Sequence, residues 1–184
     1  MKTKRIVSAL LFTGLALAAT ASQADGLRFF PGLDSGFKFE PTLAITGGVM
    51  HVNSANDNAQ GVYGLEFNMN CGLIQTPDNR IRTHLQVNRT NESNAKATSF
   101  ELSPRYTLPL GSGFSVGVGP ALALVMADNG RDDRNLFGYG VAAGANFRKG
   151  AYYSGIDARY LNTAERNNVE FENWALIAKI GVNF

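Results

Sequence analysis

The chain has 184 residues, with 17 basic and 15 acidic side chains, two histidines and one cysteine. One cysteine excludes an internal disulfide, and no apolar run after the first residues reaches the ~20 positions a membrane-spanning helix needs. The formal charge of +2 comes from Lys2, Lys4 and Arg5; without them 14 basic residues face 15 acidic ones, a net −1 that leaves no footprint for a nucleic-acid partner.

Those three cations precede a thirteen-residue apolar run, Ile6 to Ala18, and the segment ends in Ser22-Gln23-Ala24. A basic start, a short apolar core and small residues at the cleavage positions predict a secretory signal peptide over 1–24. No cysteine lies near the cleavage point, so a lipid-modified N-terminus is not expected. Residues 25–35 are expected to form a short periplasmic lead, and 36–184 a single barrel domain.

From Phe37 onward the chain alternates. Phe37, Phe39, Pro41, Leu43 and Ile45 oppose Lys38, Glu40, Thr42 and Ala44. Tyr63, Leu65, Phe67, Met69 and Cys71 oppose Gly64, Glu66, Asn68 and Asn70. Ile81, Thr83, Leu85 and Val87 oppose Arg80, Arg82, His84 and Gln86; Phe100, Leu102, Pro104, Tyr106 and Leu108 oppose Glu101, Ser103, Arg105 and Thr107. The same zigzag recurs from Phe114, from Phe137 and from Tyr152, and again from Trp174 through Leu176, Ala178, Ile180 and Val182 to Phe184. Successive side chains of a pleated strand point to opposite faces, so period two predicts strands. Eight are predicted, at roughly 37–53, 61–75, 79–90, 96–110, 114–128, 135–149, 151–165 and 169–184. Tight turns, Thr76-Pro77-Asp78, Gly111-Ser112-Gly113 and Lys149-Gly150, alternate with longer asparagine-rich connections.

These features predict an all-β, eight-stranded, antiparallel, up-and-down transmembrane β-barrel with short periplasmic turns and four modest surface loops. The face opposite the bulky residues is rich in Gly and Ala, including Gly48, Gly64, Gly117, Gly119, Gly138, Gly140, Gly144, Gly155 and Gly181. A barrel of this size leaves room inside only for side chains, so the small face belongs inside and the bulky face, Cys71 included, toward lipid. Aromatics near strand ends, among them Phe39, Tyr106, Phe114, Phe147 and Tyr152 below and Tyr63, Phe100, Phe137 and Tyr160 above, fit interfacial girdles. Pro41, Pro104 and Pro120 fall inside predicted strands, where each lacks a ladder donor, so bulges are expected at some of them.

The inner parity collects Lys38, Glu40, Glu66, Arg80, Arg82, His84, Glu101, Arg105, Asp157, Arg159 and Lys179. Charges in so narrow a space must be paired or hydrated, so these residues are expected to form an ion-pair network that plugs the lumen. The same network could instead line a narrow, gated solute path.

The alternating row Trp174, Leu176, Ile180, Val182 and terminal Phe184 resembles the C-terminal signal that the barrel-assembly machinery reads in Gram-negative outer-membrane proteins. With the strand count, the whole segment after the signal peptide resembles small barrels of the OmpA and OmpX type. That resemblance implies a Gram-negative outer membrane, with lipid and lipopolysaccharide as surroundings and the assembly machinery as a biogenesis partner. An enzyme of this fold, the outer-membrane lipid A deacylase, carries His-x-Ser-Asn late in its penultimate strand; here the stretch reads Arg159-Tyr160-Leu161-Asn162, without nucleophile or base. His51, Ser54 and Asp57 have the residue types of a hydrolytic triad but nothing in sequence orients them. Asp128, Asp132 and Asp133 do not have the spacing of an EF-hand loop. The expectation is a non-enzymatic, monomeric envelope or surface protein without metal or cofactor, a narrow channel being the alternative and a lipid-modifying enzyme the more distant one.

Overall fold

A computed structural model describes residues 26–52, 59–92, 95–128, 133–163 and 172–184. The predicted signal segment, together with Ser54, Asp57 and Asp132, lies outside them. Its strands are β1 (Arg28–Phe29), β2 (Thr42–Val52), β3 (Ala59–Asn70), β4 (Ile74–Gln75), β5 (Ile81–Glu92), β6 (Ala95–Gly111), β7 (Phe114–Asp128), β8 (Asp133–Lys149), β9 (Tyr152–Thr163) and β10 (Asn173–Asn183). Eight of them close in the order β10-β2-β3-β5-β6-β7-β8-β9, every pair antiparallel. The predicted architecture stands, and closure satisfies the backbone without leaving an edge.

The boundaries differ where the ladder cannot continue. Strand β2 begins at Thr42 rather than near Phe37, because Pro41 has no N–H and Glu40 holds a left-handed φ of 47°. Strand β3 stops at Asn70, and the next residues turn to meet the N-terminal lead through Arg28↔Gln75 and Phe29↔Ile74. Phe30 N–H donates to Leu73 O (2.7 Å) and Gly32 N–H to Gly72 O (3.0 Å), which fastens the lead to this hairpin. Cys71, placed toward lipid by its parity, is buried instead. It follows the last β3 residue, at the point where the lead meets the hairpin, so parity no longer decides its surroundings.

The prolines also behave differently from expectation. Pro104 and Pro120 stand opposite each other across β6 and β7: pairing holds at Leu102↔Leu122 and resumes at Tyr106↔Val118 with register unchanged. A hydrogen-bonded antiparallel pair exchanges two N–H···O bonds, and two facing prolines remove both from one rung. Their other sides remain paired, as Thr83↔Pro104 and Pro120↔Val141. Ser103 Oγ donates to the Pro120 carbonyl (2.9 Å) and supplies a bond the missing donor would have made. A shift of register occurs elsewhere on this seam, between Pro109 and Gly111.

The turn end is clipped by side chains. Thr76 Oγ donates to Asp78 Oδ1 (2.8 Å) and accepts from Arg80 N–H (2.9 Å), while Arg80 Nε donates to Asp78 Oδ2. The Arg80 hydrogen bond, the Thr76 hydroxyl and the Arg80 charge together hold the Asp78 carboxyl below its usual range. A carboxyl depressed on folding stabilises above its unfolded pKa and loses that contribution as pH falls through the folded value. Asp78→Asn is therefore expected to lower stability at neutral pH by a few tenths of a kcal/mol, the scale of an exposed pair. The difference from the parent should vanish once the pH is below the folded pKa of Asp78, as read from urea midpoints across a pH series.

Candidate functional site

Inward side chains of the eight strands meet along one axis, and the sequence arranges them in layers. At mid-height, Asp157 of β9 pairs with Arg105 of β6 (Nη1–Oδ2 2.8 Å) and with Lys179 of β10 (Nζ–Oδ1 2.9 Å). Lys179 Nζ also lies 3.1 Å from Glu66 Oε2 of β3. Glu66 accepts from Gln86 Nε2 (2.6 Å), Asn68 Nδ2 (2.7 Å) and the Tyr153 hydroxyl (3.1 Å), and His84 Nδ1 lies 3.3 Å from it. Gln86 Nε2 also reaches Asp157 Oδ2 at 3.2 Å. Room for Asp157 comes from Gly144, where a Cβ would lie 2.1 Å from Oδ1.

Toward the loop side, Arg159 Nη1 donates to Glu101 Oε2 at 2.6 Å. Around and beyond this pair apolar side chains join the lining: Met50, Val62, Ala175 and Ile177 form one buried group, and Ala121, Ala123, Val125, Leu136, Ala142 and Leu161 another, beside the buried polar Asn88, Thr90, Thr163 and Asn173. This departs from the expectation of an interior that is small and ionic throughout. Toward the turn side, Arg82 and Arg148 converge on Asn68.

Of the predicted lumen residues, Glu66, Arg82, His84, Glu101, Arg105, Asp157, Arg159 and Lys179 are buried inside. Lys38, Glu40 and Arg80 are not. Lys38 and Glu40 precede Pro41 and are exposed, Glu40 reaching Arg82 at 3.6 Å, while Arg80 belongs to the turn clip before β5. Sequence reading missed Arg148, whose parity continues that of Gly144 and Asn146, and, though parity turned Asn68, Gln86 and Tyr153 inward, did not count these uncharged partners in the network.

The outer face carries Trp174, Leu176, Ile180, Val182 and Phe184, all exposed. His51 lies beside them, its ring stacked on Trp174 at 4.3 Å and 9°, while Ser54 and Asp57, its companions in the sequence, lie outside the described residues. Asp128 and Asp133 are register partners at the ends of β7 and β8. Among the described residues no cluster of His, Cys, Asp and Glu suits a metal ion, and no helix is long and apolar enough to cross a membrane.

No protein-family model and no curated protein matches the chain. Solved structures do. Neisserial surface protein A superposes with a TM-score of 0.65 at 18% identity, over 78% of this chain and 97% of its own. Ail, the attachment invasion locus protein of Yersinia pestis, gives 0.50 at 13% identity, over 80% of this chain and all of its own. At such identities the shared property is the fold: an all-β, eight-stranded, up-and-down transmembrane barrel of the small outer-membrane type.

Proposed function

We propose that the chain is a non-enzymatic, monomeric β-barrel of a Gram-negative outer membrane, its polar lumen plugged and its short loops facing the medium, with a role in envelope structure or surface interaction. The observation that carries the plug is the central bridge of Glu66, Lys179, Asp157 and Arg105, each at most 4% exposed. Ions crossing the barrel would have to break charge-assisted bonds that hold one another in place. Lipid and lipopolysaccharide would surround the apolar wall, and the row ending in Phe184 would serve as the assembly signal. The surface role is supported by the two similar structures, one a surface protein and the other an attachment protein.

Planar-bilayer recordings test the reading. Purified barrel is expected to give no stable stepwise conductance in symmetrical salt. Openings that disappear when Arg105 or Glu101 is neutralised would replace the plug with the channel alternative. Incubation with lipopolysaccharide is expected to leave the mass of the lipid unchanged, and a shifted product mass would reopen the enzymatic alternative.

A further inference from the structure

Inside the barrel, among the described residues, Arg82, Arg105, Arg148, Arg159 and Lys179 meet only Glu66, Glu101 and Asp157. Arg105, Lys179 and Arg159 take those three carboxylates. Arg82 and Arg148 are left over, and both lie at the turn-side mouth.

Their partners are neutral. Arg82 donates to Asn70 Oδ1 (2.7 Å), Asn68 Oδ1 (3.0 Å) and the Glu40 backbone carbonyl (2.7 Å). Arg148 donates to the same Asn68 Oδ1 (2.6 Å), with its Cζ 5.1 Å from the Tyr153 ring centre. Asn68 cannot turn away, because its Nδ2 is held by Glu66 Oε1. Two guanidinium groups thus crowd onto one amide oxygen, and the Nε of each is buried without a hydrogen-bond partner. Arg82 itself is only 6% exposed. The carboxylate nearest to it, Glu40, stands 3.6 Å from Arg82 Nη1 with its side chain 60% exposed. Elsewhere in this lumen each cation is met by a buried carboxylate; here the chain supplies amides.

We propose that the turn-side mouth is a binding site for an oxyanion of the phosphate class, held between Arg148 and Arg82. Like charges crowded in a partly dry site call for a counter-charge. A guanidinium fork matches an oxyanion with several acceptor oxygens, which can serve two forks at once, better than it matches chloride. Arg148, half-buried near the end of β8, is the group reachable from the turn side. Glu40 is the internal competitor, supplying a loose counter-charge when the site is empty of anion. The phosphate could arrive free in solution or on a lipid headgroup; both present the same oxygens.

The test uses the refolded barrel in phosphate-free maltoside micelles, titrated with inorganic phosphate against chloride at equal ionic strength, and read by calorimetry and by the urea midpoint. Saturable binding is expected for phosphate and not for chloride. Arg148→Gln should weaken it at least ~10-fold, since a hydrogen bond to a charged group is worth that much. Glu40→Gln should strengthen it, and Arg80→Gln, in the exposed clip at the same end, should leave it unchanged. If Arg148→Gln does not refold, Arg148→Lys, which keeps charge without the fork, should still bind more weakly than the parent. Nanodiscs then separate the two sources. Loss of phosphate binding in phospholipid discs, but not in discs of a phosphate-free glycolipid, identifies a headgroup ligand; equal binding in both identifies free phosphate. No saturable response beyond that to chloride, or an affinity unmoved by the Arg148 and Glu40 substitutions, overturns the proposal.

Discussion

Gly140→Ala is expected to cost the folded barrel about 3 kcal/mol or more, at or beyond the upper end of ordinary overpacking, while Gly47→Ala should cost less than about 0.5 kcal/mol. A Cβ at Gly140 would lie 1.9 Å from the Tyr160 carbonyl oxygen and 2.9 Å from Leu161 Cα, both backbone of the neighbouring strand β9. Backbone in a closed ladder cannot step aside without breaking its own pairing. At Gly47, on the outer face, an added methyl meets nothing within 4 Å. The same approach recurs around the wall: Gly48 under Leu176 O at 2.0 Å, Gly64 under Val87 O at 2.0 Å, Gly119 under Pro104 O at 1.9 Å and Gly181 under Leu43 O at 2.1 Å. All face inward, where a sheet closing on so few strands bends most sharply, and glycine is the residue that lets two backbones meet there. Urea midpoints in lipid vesicles, followed through the single tryptophan, Trp174, measure both variants. Equal stability of Gly140→Ala and the parent would show that the wall yields far more than this geometry allows.

Asp157→Asn should destabilise the barrel by about 3–5 kcal/mol, the cost of stripping the partner from a buried ion pair. The change keeps the shape and removes the charge that Arg105 and Lys179 share. Lys179 retains Glu66, so Arg105 bears most of the loss. Asp157→Asn combined with Arg105→Met should therefore recover most of the stability, because removing both members of a pair is often nearly neutral. A double variant no better than the single one would mean that Asp157 acts through packing alone. The urea assay in vesicles reads both.

Period two is legible in every barrel strand because each side chain must choose between the outside and the lumen. What one strand cannot reveal is where its partner ends. Lys38, Glu40 and Arg80 have inner parity but lie before the ladder starts at Thr42 and Ile81, and Cys71 lies after it stops at Asn70. Arg148 was readable by the same rule, one step past Asn146. The apolar side chains on the loop side were less so: parity turns Val62, Leu136, Leu161 and Ile177 inward, whereas their hydrophobicity alone assigns them outward. Which cation meets which carboxylate was not readable at all. Glu66 and Lys179 are 113 residues apart, and their meeting depends on how the strands are staggered around the ring.

The facing pair Pro104 and Pro120 gives this ring a preferred line of failure. Both missing donors fall on a single rung between β6 and β7, so the other seven junctions keep their full complement of rungs at that height. Under mechanical load or in harsh detergent, unzipping would start where fewest bonds must rupture together. At that height tearing would thus begin between those strands, not at the junction where the first and last strands of the ring were stitched.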